Sequence, residues 1–105
     1  MAIIRVLVGS VKIVDGVVCD KTEFVEIDGS MLATRAKTIA ADGTRGFRET
    51  LYYTTDRRLI VHLEDWSVRR RHGTIYTLTE VTRQDLQKGG EFEELAMSAW
   101  AWLRR

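Results

Sequence analysis

Apolar residues along this chain fall into short runs with two different periods. Ile3, Ile4, Val6, Leu7, Val8, Val11, Ile13 and Val14 form a largely β-branched stretch interrupted by Gly9-Ser10. Such a run favours strand over helix, with the glycine marking a bulge or bend. Asp15-Gly16 follows, a strong hairpin signal because a type I′ turn needs positive φ at both central positions. The return strand begins at Val17-Val18-Cys19 and resumes after Asp20-Lys21 as Thr22 to Ile27, without clean alternation of its faces. From Met31 to Ala41 the spacing changes. Leu32, Ala36, Ile39 and Ala40 recur at helical intervals, Asp28 or Ser30 can cap the start and Gly43 the end, so the pattern predicts a first helix.

Period two then returns. Phe47, Glu49, Leu51 and Tyr53 share one face, and Arg48, Thr50, Tyr52 and Thr54 the other. A turn around Thr55-Asp56-Arg57 leads back into a strand whose expected core side is Leu59, Val61 and Leu63, with His62 pointing to the opposite face alongside Ile60, Glu64 and Trp66. Residues 67 to 73 read as a polar loop, and Thr74 to Thr82 as a further strand. Thr82 can cap a short turn at Arg83 to Leu86. After Gly89-Gly90, the segment Phe92 to Leu103 predicts a second helix, whose acidic start and Arg104-Arg105 end both complement the helix dipole. The order β-β-α-β-β-β-α predicts an α+β fold. It would be a two-layer sandwich of an about five-stranded, mainly antiparallel twisted sheet with two helices on one face.

Composition adds bounds. A chain of 105 residues supports one core, hence a single domain over 1–105. With 45% hydrophobic and 30% charged residues it is an ordinary folded protein. The net charge of +1, from 16 basic and 15 acidic residues, excludes a whole-protein field toward nucleic acid or anionic lipid. No run approaches the roughly 18 apolar residues of a spanning helix. The opening stretch is broken by Arg5 and lacks the pattern of a signal peptide. The lone Cys19 fits a reducing compartment, so a cytoplasmic location is expected.

Candidate chemistry is sparse. Phe92, Leu95, Ala96, Ala99 and Leu103 already complete a core stripe on the C-terminal helix, so Met97, Trp100 and Trp102 exceed what one buried face needs. They are expected at a surface for another protein or a second copy of the chain, with a core role for the tryptophans as the competing reading. Arg57, Arg58, Arg69, Arg70 and Arg71 could hold phosphates or carboxylates through paired N–H donors. With Arg45, Arg48, Tyr52 and Tyr76 they could line a basic sheet edge for single-stranded RNA. Against this, a simple meander puts the two arginine clusters at opposite ends of the sheet, and with a near-neutral charge balance a solvated hairpin loop is the preferred reading of the run. His62 and Glu64 could share an ion, yet two ligands do not make a zinc site and Cys19 has no companions, so no metal is expected.

There is no Gly-rich phosphate loop, nucleophile elbow or HExxH motif, and no catalytic residue or cofactor is assigned. The expected function is a small, non-enzymatic protein-binding domain, an inhibitor, adaptor or subunit. The alternatives are a nucleic-acid module acting through Arg69 to Arg71, and a small enzyme or ligand binder.

Overall fold

The computed structural model describes residues 2–38, 45–66, 73–87 and 93–99. Asp15 and Gly16 take φ of 51° and 76°, the type I′ turn their sequence predicts, and they join β1 (Ala2–Val14) to β2 (Val17–Thr38) in unbroken antiparallel register. The chain continues through β3 (Gly46–Thr54), β4 (Leu59–Asp65) and β5 (Gly73–Val81), each antiparallel to the one before. β5 then returns to β1 through four pairs, Gly9 to Lys12 against Tyr76 to Gly73, and closes a barrel. Two short helices follow, α1 (Arg83–Gln87) and α2 (Glu93–Ser98).

This overturns the expected α+β two-layer sandwich: the fold is a closed five-stranded antiparallel β-barrel, with two small helices among the described residues. The error lies at the predicted first helix. Its described part, Met31 to Thr38, is the second half of β2 and pairs with β3. Met31 pairs with Tyr52 and Ala33 with Leu51, so Leu32 is the extra residue of a bulge. A bulge throws period-two alternation out of phase, and the resulting spacing of apolar residues imitates a helix. Helix propensity amounts to tenths of a kcal/mol per residue and yields to a paired neighbouring strand.

The barrel is steeply staggered. From Lys21 the ladder runs through Ser10, Ile75, Asp65 and Phe47 and returns to β2 at Lys37, 16 residues further along (37 less 21). Such a shear tilts strands strongly against the barrel axis. It also explains the 22 residues of β2: the first half pairs with β1, the second with β3.

Both faces of β3 and β4 are occupied. Inside, Val6, Ile27 and Tyr52 form a cluster with Ile4, Val25 and Leu78. Outside, Ala33, Leu51, Leu59, Val61 and Val81 pack under Leu86, Leu95, Ala96 and Ala99 of the helical segments. The face predicted as core from Leu59 and Val61 is therefore the layer beneath the helices, and the opposite face is the barrel interior. Thr82 caps α1 as its position predicts: the Asp85 N–H donates to Thr82 Oγ1 (3.1 Å) and the Thr82 N–H to Asp85 Oδ2 (2.9 Å).

Candidate protein-binding surface

Inside the barrel, β1 and β5 part company beyond Gly9 and Tyr76, which leaves the carbonyl of Leu7 without a partner on β5. His62 of β4 reaches across and places Nε2 2.7 Å from that oxygen. A carbonyl only accepts, so Nε2 carries the proton. The ring also stacks on Tyr76 with centroids 6.2 Å apart. His62 is thus a structural donor that mends the seam of the barrel. Among the described residues no group of three His, Cys, Asp or Glu side chains gathers as a metal site. Changing His62 to Phe keeps the stacking and orphans the Leu7 carbonyl; an expected loss of about 1–2 kcal/mol is readable by urea denaturation.

At one mouth of the barrel Val25, Ile27, Ile60 and Leu78 floor a concavity of about 560 Å³. Its rim is the β3–β4 turn. The Arg58 N–H donates to Thr54 Oγ1 (2.9 Å), Thr54 Oγ1 donates to Asp56, and Arg58 Nε reaches Asp56 Oδ2 at 2.8 Å. The Thr54 hydroxyl, followed by the Arg58 charge, holds the Asp56 carboxyl below its ordinary pKa. Arg58 also faces Glu80 at 3.9 Å. Its charge is therefore answered from both sides, while Arg57 is exposed at φ 67° in the turn. Tyr52 lies in the interior cluster, and burial pushes its phenol above the usual range. Burial, then the nearby Glu64 and Asp20 charges, does the same to Tyr76. Arg69, Arg70 and Arg71 lie outside the described residues.

Among the described residues most of the exposed large apolar side chains lie on the β1–β2 hairpin. Among the described residues β5 accompanies β1 only as far as Lys12, and the tip from Ile13 to Val18 extends past that last pair. Val14 and Val17 flank the two-residue turn as a hydrogen-bonded pair, which makes Ile13 and Val18 the next, non-hydrogen-bonded pair on the other face. The tip is consequently apolar on both faces, with these four residues 47–64% exposed. Further down β2, Phe24 is 67% exposed. A two-stranded ribbon has no core of its own, and sheets usually turn one polar face to water. Cys19, exposed and opposite Lys12, borders a shallow groove with Ser10, Val14 and Lys21 along one side of the ribbon.

No residue signal marks the hairpin as the protruding element, because the sequence does not show where β5 stops pairing with β1. The C-terminal helix presents a divided face. Leu95, Ala96 and Ala99 are buried against the barrel, whereas Met97 is 68% exposed. Trp100 and Trp102 lie outside the described residues. Among the described residues no helix is long and apolar enough to cross a membrane. Compared with models of protein families, with characterised proteins and with solved structures, the chain matches none.

Proposed function

We propose that this chain is a non-enzymatic protein-binding domain whose contact is the projecting β1–β2 hairpin, with Met97 of α2 as a separate exposed apolar residue. The observation that carries the reading is the tip itself: four β-branched residues, exposed on both faces of a ribbon, where solvation alone would favour polar ones. The barrel supplies rigidity, since the hairpin is continuous in register with the wall from Val14↔Val17 back to Ala2↔Gly29. A rigid arm keeps down the entropy of ordering that a flexible loop loses on association.

The test replaces Val17 and Val18 with threonine, which retains strand propensity and removes apolar surface. Capture of partners by the tagged double variant is expected to fall at least about tenfold, the loss of roughly 1.4 kcal/mol, while thermal unfolding stays close to that of the unaltered chain. Unchanged capture by the folded variant would remove the hairpin from the interface.

A further inference from the structure

We infer that the partner along this hairpin is a second copy of the chain, paired antiparallel through the open edge of β2 about a two-fold axis at Thr22. The inference rests on the reading of the hairpin as a protein-binding element. It starts from backbone parity. Because Val14 and Val17 are the hydrogen-bonded pair beside the turn, the backbone groups of Val18, Asp20, Thr22, Phe24, Glu26 and Asp28 point away from β1. The Asp28 carbonyl fixes the direction, accepting from the Thr55 N–H outside the hairpin (2.8 Å). From Val18 to Glu26 no described strand meets this edge, since β3 joins β2 only at Gly29. Unpaired edges of this length are templates for strand addition.

Charge selects both the occupant and the register. With Thr22 opposite Thr22 of the second copy, Asp20 and Phe24 meet as hydrogen-bonded pairs. Lys21 meets Glu23 of the second copy in the closer, non-hydrogen-bonded pairs, and by symmetry it does so twice. No like charges oppose each other in this register. A two-fold axis at Asp20, Lys21, Glu23 or Glu26 sets identical charges face to face, and one at Phe24 opposes Asp20 to Asp28. Among the described residues neither Lys21 nor Glu23 has an ion-pair partner within its own chain, so both charges are available to the second copy.

One group in the open edge is guarded. The Thr22 N–H donates to Oδ1 of its own Asp20 (3.0 Å), and the Thr22 hydroxyl donates to the same oxygen. Pairing exchanges that backbone bond for one to the Thr22 carbonyl of the second copy. Asp20 thus competes with association at the centre of the interface, which makes the dimer reversible rather than permanent.

Sedimentation of the purified chain tests this through charge reversal. The unaltered protein is expected to show a concentration-dependent mass rising to twice the 12.0 kDa of one chain. Lys21→Glu sets a carboxylate against Glu23 of the second copy and should keep the mass at one chain. The Lys21→Glu, Glu23→Lys double variant restores opposite charges in the same register and should recover the dimer. A single-chain mass for the unaltered protein throughout, a dimer indifferent to Lys21→Glu, or a double variant that stays single overturns the inference. The first of these outcomes combined with partner capture that still depends on Val17 and Val18 would leave the protein-binding reading standing with a different partner.

Discussion

Replacing Gly9 with alanine is expected to cost the barrel about 3 kcal/mol or more, enough to unfold much of the population of a marginally stable domain. Gly9 has φ of +120°, a conformation that side chains strongly disfavour, and an added Cβ would overlap the Lys21 carbonyl oxygen of the neighbouring strand. Neither party can give way, since the obstacle is backbone held in the β1–β2 ladder. The position is also where β1 first meets β5 and the barrel closes. Gly16→Ala is the matched control: φ is again positive, at +76°, but nothing lies near the added methyl, so only the backbone preference of about 1 kcal/mol is lost. Denaturant midpoints of the two variants measure the difference. Equal losses would mean that closure at Gly9 tolerates a side chain.

Removing one partner of the Arg35–Glu49 pair is expected to be comparably severe. The two residues face each other across β2 and β3, with Arg35 Nη1 3.2 Å from Glu49 Oε1 and side-chain exposures of 16% and 5%. The Arg35 guanidinium also lies over the Phe47 ring, 5.1 Å from its centroid. Arg35→Ala removes this cation from beside a buried carboxylate and should cost about 3 kcal/mol, whereas a well-packed apolar replacement of both residues should cost much less, because desolvating the pair already offsets most of its attraction. A double-mutant cycle on unfolding free energies separates these outcomes. Additive losses from the two single changes would show that the pair is not coupled.

Local pattern serves well where one element's own residues settle its geometry. Asp15-Gly16 supplies the positive φ values of its turn, Thr82 finds its cap, and the alternation through Phe47 to Thr54 and Leu59 to Leu63 marks two strands. It misleads at Leu32, where one bulged residue converts a strand's alternation into helical spacing. It also misplaces His62, which alternation alone makes a surface partner of Glu64. The ring donates to Leu7, 55 residues away, through the interior. For the binding site, Val17 and Val18 carry only the signature of an ordinary return strand. Their exposure is set by how β1 and β2 sit against the other described strands, which local pattern does not record.

By itself the sequence determined the type I′ hairpin turn, the alternating strands and the cap of the first short helix, because turn dihedrals, capping and strand alternation depend on neighbours a few residues apart. Only the tertiary structure decided that the sheet closes, which face of β3 and β4 is the interior, and which stretch of β2 meets no second strand among the described residues. Those outcomes follow from the 16-residue stagger between strands distant in sequence. Closure of that kind balances the twist and shear of five strands together, and no single segment's periodicity records it.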